Sequence, residues 1–192
     1  MKKAVRAVAG LAVAVCMMMT AGSAMAEEGG TKFKLGVGTY GLIIADDSSS
    51  VNSHDEEFYG GAIVGTACFT KHVALRGAFY AAENDDDSRW DISGGDLQIL
   101  LGTNFYKGFN VFGGIGVFTE TWEYDGGTIG GVSIKADKDF SGAQASFGIG
   151  YSWNKVALDY VVNVRDTSDY EDFTTVDHDF AVSGGINLSY IF

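Results

Sequence analysis

Several charged residues share an alternating face with glycine, serine and asparagine, and these charges are the first candidates for chemistry. Side chains that alternate along an extended segment point into two different environments. A charge enclosed among small polar neighbours without a partner is strongly destabilising, so acids and bases there must pair. We predict two layers of ion pairs, with a gated ion path as the alternative role. The candidates are Arg76 and Asp159 in one layer, Asp96, Glu120 and Arg165 in the other, and Lys34 as a further base.

Histidine and serine could together support acyl transfer or hydrolysis, in which a histidine activates the serine oxygen. The histidines are His54, His72 and His178, and the last of these lies close in sequence to Ser183. Ser183 lies five positions after His178, so strand alternation would put their side chains on opposite faces. We therefore predict no catalytic residue and no enzyme activity.

Acidic residues concentrate in two segments between the alternating runs. Hard divalent cations favour such oxygen-rich clusters, but the contiguous run from Asp85 to Asp87 lacks the spacing of an EF-hand. We predict solvated acidic loops with no metal or cofactor site, and weak Ca²⁺ or Mg²⁺ binding stays open as an alternative. The acids are Asp46, Asp47, Asp55, Glu56 and Glu57 in the first segment, and Glu83, Asp85, Asp86, Asp87 and Asp91 in the second.

The elements that must position these residues are predicted to be β-strands. The chain has 27 glycines and no proline among 192 residues, and its apolar residues alternate with small or polar ones. The last segment shows the pattern best, because apolar residues and glycine hold every second position from Phe180 to Phe192. Eight runs are predicted, near 31–44, 58–69, 73–82, 92–105, 110–124, 142–153, 158–165 and 180–192.

The connections between the runs alternate in length. Short ones lie near residues 70–72, 106–108 and 153–155, whereas the others are long. Short turns at one end and long loops at the other are typical of transmembrane barrels. The sequence thus predicts an all-β, eight-stranded antiparallel up-and-down transmembrane β-barrel with both termini on the short-turn side. The four long loops are predicted at 45–57, 83–91, 125–139 and 166–177.

A soluble eight-stranded barrel is the alternative architecture. Its outer face would carry many charges, whereas the non-apolar face here is mostly glycine, serine, alanine, asparagine and glutamine. Those residues suit a narrow packed interior, so the apolar face should point outward into lipid. Aromatic residues are expected to form two interfacial belts. One comprises Phe33, Phe69, Phe105, Phe109, Tyr151, Trp153, Tyr190 and Phe192, and the other Tyr59, Phe79, Trp122, Tyr124, Phe140 and Phe180.

The N-terminus has the organisation of a secretory signal peptide. Lys2, Lys3 and Arg6 precede an apolar run of 13 residues, and small residues end at Ala26. We expect residues 1–26 to be removed and residues 27–192 to form one barrel domain with a formal charge near −15. Such acidity argues against nucleic acid as a partner, since binding it requires basic residues to neutralise phosphates. Cys68 alone would survive cleavage, so no internal disulfide can form.

The C-terminal residues Ile186 to Phe192 resemble the ending of the small outer-membrane barrels, the OmpX and opacity-protein class and the transmembrane domain of OmpA. In that class, alternating hydrophobic residues that end in phenylalanine are the assembly signal for the barrel-insertion machinery. The resemblance covers residues 31–192 and implies that Leu188, Tyr190 and Phe192 carry this signal. It also implies residence in the outer membrane of a Gram-negative bacterium, among lipid and lipopolysaccharide.

Three classes of function are compatible with such a barrel. We favour a structural or surface-interaction protein whose four acidic extracellular loops contact a host or other surface ligand, since eight strands leave a lumen just filled by side chains. A small low-conductance pore is the alternative. A lipid A-modifying enzyme is the second alternative. Bridging of the acidic loops to lipopolysaccharide by divalent cations also stays open as a role of the loops.

Overall fold

The computed structural model describes residues 30–46, 55–129, 132–174 and 178–192. Eight β-strands and one short helix account for most of these residues. The strands are β1 Lys32–Asp46, β2 Glu56–Cys68, β3 Val73–Asn84, β4 Trp90–Gly102, β5 Gly108–Ile129, β6 Val132–Ser152, β7 Val156–Arg165 and β8 His178–Ile191, and the helix is α1, Ser168–Thr174.

The strands form a closed barrel in which each pairs antiparallel with the next and β8 pairs with β1. Closure satisfies the backbone groups that an open sheet would leave exposed at its edges. The predicted eight-stranded up-and-down barrel is confirmed. No helix in the described part of the chain is long and apolar enough to cross a membrane.

Two predicted long loops contain regular structure. The segment predicted as loop 125–139 is mostly strand, because β5 and β6 run 22 and 21 residues and continue pairing to Ile129 and Val132. A register shift between Asp125 and Thr128 lies in this hairpin, where Gly127 has a φ of +76°. The segment predicted as loop 166–177 contains α1. Acidic residues suggested coil in both places, but cross-strand pairing in the first segment and packing of the helix in the second prevail over composition.

The barrel presents many of its large apolar side chains outward. On β8, Ile186 and Leu188 are half exposed, whereas their neighbours Asn187 and Ser189 are buried in the lumen. The same alternation exposes Val37, Leu101 and Ile115 at 62%, 63% and 72%. An apolar surface of this extent requires a hydrocarbon environment rather than water.

The expected aromatic belts form only in part. Phe69, Trp153 and Phe192 are exposed near the short turns, as are Tyr59, Phe79 and Phe180 toward the long loops. Phe105, Trp122 and Phe140 are instead 3%, 7% and 1% exposed. The prediction was wrong for these three residues, because Trp122 and Phe140 lie at inward positions of their strands and Phe105 packs against Phe112 in the lower lumen.

Candidate functional site

Glu120 is the centre of a polar cluster in the upper lumen, and its side chain points inward from β5. Its Oε2 accepts hydrogen bonds from Tyr80 Oη at 2.9 Å and from Arg165 Nη1 at 2.7 Å. Its Oε1 accepts from Trp122 Nε1 at 2.9 Å and from Tyr170 Oη at 2.7 Å. Four hydrogen bonds thus converge on one buried carboxylate, and hydrogen bonds to an ionised acceptor are the strong ones.

Arg165 provides the opposite charge, and both side chains of this salt bridge are fully buried. Its Nη2 donates to Tyr80 Oη at 3.0 Å, so that hydroxyl links the two charged groups. The guanidinium lies 4.3 Å from the ring centroid of Phe118, within cation–π range. Tyr40 stacks on Tyr80 with centroids 4.0 Å apart. The pair is therefore held by aromatic rings as well as by hydrogen bonds.

The helix α1 closes the lumen above this pair. Tyr170 is buried and packs against Trp122 and Phe140, with ring centroids 5.8 and 4.9 Å away. Asp169 Oδ2 accepts from the backbone N–H of Ser141 at 2.9 Å, which fastens the helix to β6. The interior was predicted to be narrow and packed mostly with small or polar side chains, but its upper end is filled by bulky apolar ones. They include Tyr40, Leu42, Ile44, Phe58, Ile92, Trp122, Phe140 and Tyr170.

A layer of amides and hydroxyls fills the middle of the lumen. Gln98 Nε2 donates to Asp96 Oδ1 at 3.0 Å and to Asn163 Oδ1 at 3.3 Å. Gln98 Oε1 accepts from Ser146 Oγ at 2.9 Å. Asp96, predicted to pair in the upper layer with Glu120 and Arg165, is thus hydrogen-bonded to a neutral amide.

The lower lumen brings together Lys34, Arg76 and Asp159 around a cavity of about 10 Å³. Lys34 Nζ donates to Ser152 Oγ at 2.9 Å. Within residues 30–46, 55–129, 132–174 and 178–192, no salt bridge joins Asp159 to either base, so the two charges of the predicted lower layer share a cavity without direct contact. A void of this size is too small to pass a solute.

The histidines and Ser183 do not assemble a catalytic pair in the part of the chain that the structure describes. His54 lies outside the described residues, as does the side chain of His178, whose backbone begins β8. His72 lies in the β2–β3 turn, with Nδ1 3.0 Å from the carbonyl oxygen of Gly102. Ser183 is buried, and its Oγ accepts from Asn163 Nδ2 at 3.2 Å.

The acidic β3–β4 loop is organised by its own hydrogen bonds. Asn84 Oδ1 accepts from the N–H groups of Asp86 and Asp87 at 3.0 and 2.9 Å. Arg89 Nη2 lies 2.6 Å from Asp87 Oδ2, and its hydrogen bonds to that carboxyl hold the pKa of Asp87 below its usual range. Among the residues described, no group of three or more acids, histidines or cysteines is arranged to hold a metal ion. Asp47 and most of the β1–β2 loop lie outside them.

The C-terminal residues close the barrel against β1. Leu188, Tyr190 and Phe192 point outward and are about half exposed. Phe192 donates its N–H to the carbonyl oxygen of Phe33 at 2.9 Å, and its ring packs edge-on against Tyr190. The residues of the predicted assembly signal thus form one outward edge of the closing strand.

Solved outer-membrane barrels are similar to this structure although their sequences differ. Neisserial surface protein A matches with a TM-score of 0.59 and 10% identity over 83% of this chain and 95% of its own. Ail, the attachment invasion locus protein of Yersinia pestis, matches with a TM-score of 0.57 and 9% identity over 85% and 99%. The outer-membrane protein OprG of Pseudomonas aeruginosa matches with 0.52 and 13% identity over 85% and 97%.

These similarities show that the chain has the fold of the small eight-stranded outer-membrane β-barrels, as the C-terminal residues predicted. No protein-family model matches the sequence. No curated protein matches it either. What the barrel does must therefore be argued from its own residues.

Proposed function

We propose that the protein is a sealed outer-membrane barrel that acts through its extracellular loops as a structural or surface-interaction protein. The observation that carries this proposal is the closed lumen, in which Glu120, Arg165 and Tyr170 occupy the upper end. A barrel whose interior is filled leaves its loops as the surface available to partners.

The outward apolar face supports residence in the outer membrane, and so does the fold. Residues 1–26 serve for export and are cleaved after Ala26. Leu188, Tyr190 and Phe192 present the signal to the barrel-insertion machinery. The long loops lie on the extracellular side, next to lipopolysaccharide, and the short turns lie in the periplasm.

A planar bilayer that contains the refolded protein is expected to show no steady conductance above the bare membrane. The reason is steric, because a cavity of about 10 Å³ is the open space among Lys34, Arg76 and Asp159. Gel migration of boiled and unboiled samples should first show the shift of a folded barrel. Regular single-channel openings from such folded protein would contradict the sealed lumen and favour the pore.

The end of the barrel that carries the long loops is rich in acidic residues, which favour a positively charged partner. Glu57 lies at the start of β2 and Asp85 directly follows the end of β3, and the N–H of Asp85 donates to the carbonyl oxygen of Glu57 at 2.9 Å. Ail has been crystallised with the heparin analogue sucrose octasulfate, which is a polyanion. The acidic loops of this chain would repel such a ligand and attract polycations, with an effect that weakens as salt rises.

Replacement of Glu83 by glutamine and of Asp85 by asparagine is expected to weaken poly-L-lysine binding to protein-bearing vesicles by roughly threefold, since both side chains are exposed and exposed charges each contribute little. The matched control exchanges the two acids for each other's type, Glu83→Asp and Asp85→Glu, so that both negative charges remain. The control should bind nearly as well as the wild type. Tighter binding of heparin than of poly-L-lysine would refute the proposed preference.

A further inference from the structure

The outer surface of the barrel carries a groove that crosses strands β1 to β6 with a volume of about 1280 Å³. Small outward residues form its floor, namely Gly61, Ala81, Ser93, Gly95 and Thr119. Larger apolar residues border it, including Val37, Ile63, Phe79, Leu97 and Val117. The groove therefore interrupts the bulky apolar face with an open trough of small side chains.

A second pocket of about 540 Å³ continues the groove toward the loops. The two share Ala81, Ser93 and Thr121 in their linings. The upper pocket is lined by the ring of Tyr59, which is about half exposed. It is also lined by four acidic residues, Glu83, Asp91, Glu123 and Asp139. An apolar trough thus leads into an acidic and aromatic end.

The register of the sheet places three of these acids side by side. Glu83 pairs with Asp91 across β3 and β4, and Asp91 pairs with Glu123 across β4 and β5. Like charges directly opposite one another on a sheet are destabilising. The salt bridges in the described ranges are Arg89–Asp87, Lys135–Asp125 and Arg165–Glu120, and none of them includes these three acids. A cation bound outside the barrel would relieve this repulsion.

We propose that the groove and its upper pocket bind a membrane lipid whose head group carries a net positive charge. The proposal rests on the proposed outer-membrane location. The hydrocarbon tail would lie over Gly61, Ser93 and Gly95, with the ammonium group above it among the carboxylates. The face of Tyr59 adds a favourable site for an ammonium ion. A lipid phosphate would be repelled by the same acids, and a second copy of the barrel would place two acidic rows close together.

The test measures the association of chain-labelled lipids with the refolded protein in phosphatidylcholine bilayers by electron paramagnetic resonance. Two probes have the same tails, one with a trimethylammonium head and one with a phosphate head. We expect the association constant of the ammonium lipid for the protein to be about tenfold higher than that of phosphatidylcholine. The association constant of the phosphate lipid should not exceed that of phosphatidylcholine.

Two sets of variants separate the head-group site from the groove. The triple variant Glu83→Gln, Asp91→Asn and Glu123→Gln should lose the preference for the ammonium lipid. The double variant Gly61→Leu and Ser93→Leu should fill the groove and also lose the preference for the ammonium lipid. The barrel should tolerate the change at Gly61, because an added Cβ there meets nothing closer than the Gly38 carbonyl oxygen at 3.7 Å. Val164→Leu, at an exposed position on β7, is the control and should bind as the wild type does.

The outcomes distinguish this proposal from the one it rests on. A wild-type protein that shows no heat-dependent gel shift would contradict the barrel in the membrane. A folded wild type with equal affinity for both probes would overturn only the lipid site, as would a preference that survives in the folded double variant. If the wild type showed no lipid preference but formed dimers that the double variant abolished, the groove would instead be an interface with a second copy of the barrel.

Discussion

Replacement of Glu120 by alanine is expected to destabilise the barrel by about 3–5 kcal/mol, because it leaves the buried charge of Arg165 without its partner. The substitution also removes the acceptor for the hydroxyl of Tyr170 and the indole N–H of Trp122. The measurement is urea unfolding of the refolded protein in lipid vesicles, followed by tryptophan fluorescence and by the gel shift.

Glu123→Ala is the matched control for this experiment. Glu123 lies three residues further along β5, but its side chain faces outward and is exposed. Its replacement should change the free energy of unfolding by no more than about 0.5 kcal/mol. Equal stability of the two variants would contradict the assignment of Glu120 as the centre of the lumen cluster.

A compensating variant tests whether the loss comes from the unpaired charge. Glu120→Leu combined with Arg165→Met removes both charges and replaces them with apolar side chains. Buried ion pairs replaced in this way are often neutral in stability. We therefore expect the double variant to be more stable than Glu120→Ala. A double variant as unstable as Glu120→Ala would instead attribute the loss to packing and to the tyrosine hydrogen bonds.

Replacement of Gly94 by leucine is expected to cost about 1–3 kcal/mol, the usual range for overpacking an interior. An added Cβ at Gly94 would lie 2.5 Å from the Thr119 carbonyl oxygen, 2.6 Å from Glu120 Cβ and 2.8 Å from Tyr80 Oη. The side chain would thus press on the cluster that closes the upper lumen. Urea unfolding of the refolded variant measures the effect.

The control for this second prediction is Gly61→Leu, the same substitution on the outer face. Its added Cβ has room, so the free energy of unfolding should stay within about 0.5 kcal/mol of the wild type. If Gly94→Leu were as stable as Gly61→Leu, the tight packing around Glu120 would not be a feature of the folded protein.

Periodicity could predict the architecture because strand alternation is a local property of the backbone. The positions from Phe180 to Phe192 alternate in burial as the sequence indicated, and Asn187 and Ser189 face the lumen. The short turns between β2 and β3 and between β6 and β7 were also evident from residues 70–72 and 153–155. These features depend only on neighbouring residues.

The candidate site was less predictable, since its contacts join residues far apart in the chain. The inward positions of Glu120 and Arg165 follow from alternation, but their salt bridge spans 45 residues and depends on barrel closure and register. Tyr170 gave no signal, because a short helix in an acidic loop has no periodicity long enough to detect. Trp122 and Phe140 were assigned to an interfacial belt, although alternation would have placed both inward had it been followed to the strand ends.

The sequence by itself determined the number of strands, the face that each presents and the side of the barrel that bears acidic loops, since these follow from alternation and composition. The tertiary structure alone decided which inward residues meet, how α1 closes the lumen, and how Glu83, Asp91 and Glu123 come to lie in one row. The physical reason is that closing the sheet fixes the register between strands. That register decides which side chains face one another across the lumen and along the outer surface.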